Sequence, residues 1–307
     1  LSDSSHTRLS AHPRSVLLAL LVTFLWSTSW VLIKVGLDAI PPLTFAGLRY
    51  TLAFLCLLPF VVRPKHREAL RCLRGWDWLL LIGLGLVMYS LTQGAQFLAL
   101  DRLPATTTSL LLSFSPAVVA LLSVVFLTER TRPAQWAGIA VYLIGAAIFL
   151  YPAEFPGYQL FGIGIAVLGL LANASAAVLS RSANRGSTLT PLAVTVVSMG
   201  AGAVVLLVAG VTMQGLPPLS PTGWTIVAWL AVVNTAFAFT VWNLTLRTLS
   251  ATESSVINNT MLIQIAILAW VFLDESLGVR EICGLVLASS GVLIVQLWRR
   301  PSKRAER

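Results

Sequence analysis

"VFLTE" at residues 125–129 returns 146 residues later as "VFLDE" at 271–275. The match spreads outward at that offset without a gap. Trp78 falls on Trp224, Ala105 and Thr106 on Ala251 and Thr252, Ser109 on Ser255, and Gly138 and Gly145 on Gly284 and Gly291. Leucine and valine coincidences are expected by chance in so apolar a chain. Two glycines, a tryptophan and a glutamate in register are not. The chain therefore reads as two related halves, residues 1–151 and 152–307.

Of the 307 residues 57% are hydrophobic and only 11% charged, and mean hydropathy is +0.84. A soluble domain carries roughly 25% charged residues, so this chain cannot cover itself with polar surface. Its apolar runs are close to the roughly 20 residues that cross a bilayer's hydrocarbon core. They predict an all-α polytopic membrane protein of ten transmembrane helices, at 16–36, 43–62, 78–100, 104–127, 133–151, 159–180, 190–212, 223–246, 252–273 and 280–298. The connections carry turn signals such as Pro41-Pro42, Pro104, Pro133, Pro191 and Pro217-Pro218. Barrel strands would be about ten residues long and alternate in polarity, which these runs do not. The first run is too long for a signal peptide and lacks a small-residue cleavage site, so it is read as a retained helix.

Lysine and arginine concentrate on one side. With the N terminus in the cytoplasm, seventeen of the 21 fall in cytoplasmic segments and only Arg102 and Arg280 outside; Lys34 and Arg49 lie within spans. Both termini are thus expected in the cytoplasm. Five helices per half is an odd number, so the second half enters the membrane from the opposite side. Inverted repeats of this kind are typical of secondary transporters, with the site near the midplane between the halves.

The net charge of +9 does not indicate nucleic acid, because the basic residues sit in short connections and in the tail "WRRPSKRAER", where they orient helices or meet anionic lipid. The expected partners are the lipid bilayer and a small-molecule substrate. Cys56, Cys72 and Cys283 are scattered, with no metal-ligand or disulfide spacing. No metal or cofactor is expected.

The stretches "LWSTSWVLIKVGL", "LPATTTSLLLSFSPAVVALLSVVFLTE", "AFTVWNLTLRTLSATESSVINN" and "GLVLASSGVLIV" resemble the EamA-type members of the drug/metabolite transporter superfamily. The resemblance covers almost all of residues 16–298, and within the family the bacterial amino-acid exporters are the most similar type. It implies an inner-membrane carrier whose central cavity is lined mainly by helices 1, 3, 4, 6, 8 and 9, with helices 5 and 10 peripheral.

Polar residues within spans normally face a partner or a water-filled path. Trp26, Trp30 and Lys34 drift along one stripe of helix 1, with Ser27 beside them. The symmetry mates of Ser27 and Ser29 are Asn173 and Ser175. Tyr89, Gln93 and Gln96 fall on one face of helix 3. Asn234, Trp242 and Asn243 lie in helix 8, Asn258, Asn259 and Gln264 in helix 9, and Ser109, Ser113 and Ser115 in helix 4. The candidate cavity set is Trp26, Ser27, Trp30, Lys34, Tyr89, Gln93, Gln96, Asn173, Asn234, Trp242 and Asn258.

Each has a plainer alternative. Serine and threonine often bond their own helix backbone or allow helices to pack closely. Asparagine and glutamine serve interhelical bonds equally well, and Trp26 suits packing as well as lining. Trp76, Trp78, Trp136, Trp224 and Trp298 sit at span ends and read as interfacial anchors. Ser250-x-x-Glu253 reads as a capping box rather than a coupling carboxylate. Lys34 either snorkels outward or stands at the outer neck of the cavity, where it repels cations and can gate the path or meet a carboxylate. The glycines of helices 5 and 10 permit close packing, within one protomer or between two, so both monomer and homodimer stay open.

The missing features narrow the class further. No carboxylate lies deep in a span, so a proton relay or sodium cage is not indicated. There is no P-loop for direct ATP drive. The three histidines lie in predicted cytoplasmic segments and there is no deep carboxylate pair, which disfavours an embedded enzyme. A passive pore would want charged rings at its mouths. A small neutral or zwitterionic solute with an apolar part fits best; amino acids, aromatic or neutral, or similar small metabolites are the expected substrates, with other small solutes such as nucleosides or drugs as the alternative.

Overall fold

The structure, a computed structural model, describes residues 4–61, 73–115, 117–118, 133–151, 157–185, 191–245, 248–249 and 251–297. Among these the regular structure is helical throughout: α1 (Ser4–Gly36), α2 (Pro42–Val61), α3 (Gly75–Arg102), α4 (Ala105–Leu112), α5 (Pro133–Leu150), α6 (Gly157–Arg185) and α7 (Pro191–Gln214). α8 runs Pro221–Ala231, Val232–Phe237 and Ala238–Thr245, followed by α9 (Ala251–Phe272) and α10 (Val279–Leu297). "VFLTE", most of the basic connections, the tail, the Ser250–Glu253 cap and the side chain of Asn243 lie outside the described residues. So do residues 116 and 119–127 of the span expected at 104–127.

α2, α5, α7 and α8 each begin on a proline. That is the position where the missing N–H costs nothing and the fixed φ suits a helix. Ser220 caps α8 by accepting from the amide of Gly223 at 3.1 Å. Six segments are long and apolar enough to cross a membrane: Pro13–Gly36, Pro42–Val61, Gly75–Arg102, Pro133–Leu150, Gln159–Ala176 and Val194–Gln214. Ile257–Phe272 is apolar over a shorter length. Large apolar side chains such as Phe24, Leu143, Val208 and Phe272 are exposed around the bundle, as expected where the solvent is lipid.

Helix pairs recur at the 146-residue offset. α2 packs on α7 and α5 on α10, so each of these helices meets its own counterpart; α3 meets α6 as α8 meets α1, and α4 meets α6 as α9 meets α1. In the α5–α10 pair the backbones touch. A Cβ at Gly138 would lie 2.9 Å from the carbonyl oxygen of Gly291, and one at Gly145 would lie 2.7 Å from that of Gly284. The expected glycine packing is thus made within one chain.

One feature was not expected. α3 widens into a π-helical segment at Leu86–Leu91 and α8 into another at Val232–Phe237. Residue 86 plus the offset of 146 is residue 232, so the two fall at matching positions. Each is braced by a threonine hydroxyl donating to the carbonyl five residues earlier, Thr92 to Val87 and Thr235 to Leu230, both at 2.8 Å. Such insertions are rare and gather at functional sites.

Candidate functional site at the α1, α8 and α9 junction

Trp26 is the centre of an aromatic group. Its ring centroid lies 5.2 Å from those of Phe239 and Trp242, tilted by 55° and 51°, within the range of favourable aromatic pairs. Its Nε1 donates to the backbone carbonyl of Asn234 at 3.1 Å, inside the π segment of α8. Asn234 returns the link. Its Nδ2 donates to Ser29 Oγ at 2.9 Å, to Thr28 Oγ1 at 3.2 Å and to the carbonyl of Leu25. The Asn234 side chain is fully buried and its Oδ1 has no partner. A buried acceptor left unmatched costs about 1–3 kcal/mol, so this amide is both a clamp and an unfilled acceptor.

Beside it, Ser27 is also fully buried. Its hydroxyl is shared between the Thr23 carbonyl at 2.8 Å and Gln264 Oε1 at 2.9 Å. Gln264 Nε2 bonds Thr260 Oγ1 at 3.0 Å. Trp26, Ser27, Asn234, Trp242 and Gln264 are therefore gathered where α1 meets α8 and α9.

The other expected residues are distributed around this centre. Trp30 packs in the main apolar core with Ile33, Phe45 and Phe97. Tyr89 does not keep the exposure of Gln93 and Gln96, which are half-buried: it is buried against Tyr50, with ring centroids 5.5 Å apart. It sits inside the π segment, whereas Gln93 and Gln96 lie in the α-helical part beyond it. Asn173 donates to Ser115 Oγ at 2.9 Å, joining α6 to the segment after α4. Asn258 is exposed, whereas its neighbour Asn259 is buried and bonds the Ser289 carbonyl of α10 at 3.2 Å.

Lys34 is held at the end of α3. Its Nζ donates to the carbonyls of Leu100 at 2.5 Å and Leu103 at 2.9 Å, at the C-terminal end of α3. Residue 104 is proline, with no N–H to offer the carbonyl four residues back. The same proline leaves α4 without a side-chain cap. Glu275 supplies one from the α9–α10 connection, accepting from Ala105 N at 2.6 Å, Thr106 N at 3.1 Å and Thr106 Oγ1 at 2.8 Å.

Arg49 is the second cation within an expected span. It is only 5% exposed. Its Nε donates to Thr235 Oγ1 at 3.2 Å, and its guanidinium lies 5.3 Å from the centroid of the Tyr50 ring. Among the described residues no carboxylate pairs with it. A cation within a span was the available signal; its partner in α8 was not readable.

Membrane-length apolar helices, with polar side chains meeting between them, define a multi-pass membrane protein. The chain belongs to the EamA-like transporter family, which matches it twice, over residues 13–151 and 160–297. An uncharacterized transporter of Bacillus subtilis, YoaV, is 30% identical over 89% of this chain and 93% of its own length. A probable amino-acid metabolite efflux pump of Escherichia coli is 33% identical over 52% of this chain and 48% of its own. A solved crystal structure shares the fold with a TM-score of 0.66 at 21% identity, covering 93% of this chain and 98% of that one.

Proposed function

We propose that this protein is a secondary transporter that exports amino acids, aromatic or neutral, or similar small metabolites across a bacterial inner membrane. It works by alternating access between two inverted five-helix halves, residues 1–151 and 152–307, with both termini in the cytoplasm. The observation that carries the reading is the Trp26, Phe239 and Trp242 group set against Asn234, whose Oδ1 is unmatched. Aromatic faces suit an apolar side chain, and an amide acceptor suits an ammonium group. The family's double match and the efflux pump's name favour the same class. Gln93, Gln96, Asn173 and Asn258 complete the path, and no catalytic step is assigned.

Counterflow in proteoliposomes with labelled amino acids, nucleosides and sugars tests the substrate class. Saturable exchange of amino acids is expected. Exchange of a nucleoside or sugar with none of any amino acid overturns the assignment. Imposing a pH gradient on the same vesicles separates facilitated movement, whose rate it leaves unchanged, from proton exchange.

A further inference from the structure

One proline splits α3 from α4, and two opposite charges from elsewhere in the chain repair the two ends it leaves. Lys34 of α1 holds the carbonyls of Leu100 and Leu103; Glu275 of the α9–α10 connection holds the amides of Ala105 and Thr106. Charge and polarity agree at each end, since a helix C terminus favours a cation and an N terminus an anion. Asp274 adopts φ +53° just before Glu275, a left-handed conformation that aspartate tolerates. Five short bonds therefore tie α1, the α3–α4 joint and the α9–α10 connection together at one end of the bundle.

The other half matches only one of the three parts in sequence. At the 146-residue offset Lys34 corresponds to Ser180 and Pro104 to Ser250, while Glu275 corresponds to Glu129. Serine is a capping residue type and keeps the N–H that proline lacks; Ser250 itself lies outside the described residues. The cation and the proline that calls for it occur in the first half alone.

We propose that Lys34, Glu275 and the Leu103–Pro104 joint form a latch on one mouth of the transport path. Because the second half carries serines where the first has Lys34 and Pro104, the latch makes two otherwise similar states unequal and sets which one the empty protein rests in. The proposal rests on the alternating-access reading, since only a protein with two open states has a use for it. By the distribution of basic residues the latched mouth is the outer one. Opening it frees Lys34 from two neutral carbonyls and exposes both helix ends to water, which replaces the lost bonds.

The test is the distance between nitroxide labels at Ala39 and Ser276, both exposed, in a background with Cys56, Cys72 and Cys283 replaced by serine. One short distance is expected for the parent protein without substrate. Lys34→Met and Glu275→Gln are each expected to raise a longer-distance population roughly tenfold. Thr106→Val, which removes one bond of five, should raise it less, and it decides the matter if the charge variants fail to insert. An unchanged distribution in folded variants overturns the latch. Distances that shift as expected in a protein that exchanges no amino acid would overturn the substrate assignment and leave the latch standing.

Discussion

The indole Nε1 of Trp26 and the backbone carbonyl of Asn234 are 3.1 Å apart, joining α1 to the π segment of α8. The wider turn is where a side chain from the first helix reaches the backbone of the eighth. The aromatic group and the buried amide are thereby held as one unit, so a substitution in either should be felt by the other.

Trp26→Phe keeps a ring against Phe239 and Trp242 but removes the N–H. A neutral hydrogen bond contributes about 1 kcal/mol, so KM for the exchanged solute should rise about fivefold. Trp136→Ala, at an exposed helix start, should leave KM unchanged. Equal effects in counterflow would remove Trp26 from the site.

Asn234→Leu takes the donor from Ser29, Thr28 and the Leu25 carbonyl at once. Thermal unfolding in detergent should show a loss of about 2 kcal/mol. Asn234→Asp should be worse, because it sets a carboxylate against the carbonyl it replaces a donor for.

Arg49→Lys keeps the charge but cannot place an Nε–H on Thr235. A double-mutant cycle with Thr235→Val should give a coupling of about 1 kcal/mol or more in unfolding stability. Additive losses would mean that the 3.2 Å contact contributes nothing.

Gly291→Val should lower stability by about 3 kcal/mol, since a Cβ there would meet the Gly138 carbonyl oxygen at 2.6 Å and Tyr142 Cα at 2.8 Å. Gly83→Ala is the contrast. A Cβ at Gly83 meets nothing within 4 Å, and within α3 the added methyl should stabilise by about 0.5–1 kcal/mol. The same thermal measurement ranks both.

Helix positions were legible because the sequence marks them chemically. Pro42, Pro133, Pro191 and Pro221 stand at helix starts, and most expected boundaries on described residues lie within a few residues of the observed ones, whereas α1 begins at Ser4, twelve residues before the expected start at 16. The π segments were not legible. "LVMYSL" and "VVNTAF" contain nothing that distinguishes a turn with one more residue from an ordinary one. Trp26 and Asn234 were named separately, while their mutual bond spans 208 residues and no local pattern encodes it. The place of Lys34 was half legible: Pro104 announces an unmatched carbonyl at Leu100, but not which donor arrives.

The glycine seam between α5 and α10 has a practical consequence. Two helices whose backbones touch at both Gly138–Gly291 and Gly145–Gly284 have no room to slide or roll against each other, so they move as a single strut. Labels on that strut should keep a constant separation whatever the solute or gradient. If α1, α3 and α8 move as the proposed alternating access requires, it is the stationary ruler against which their displacement is measured.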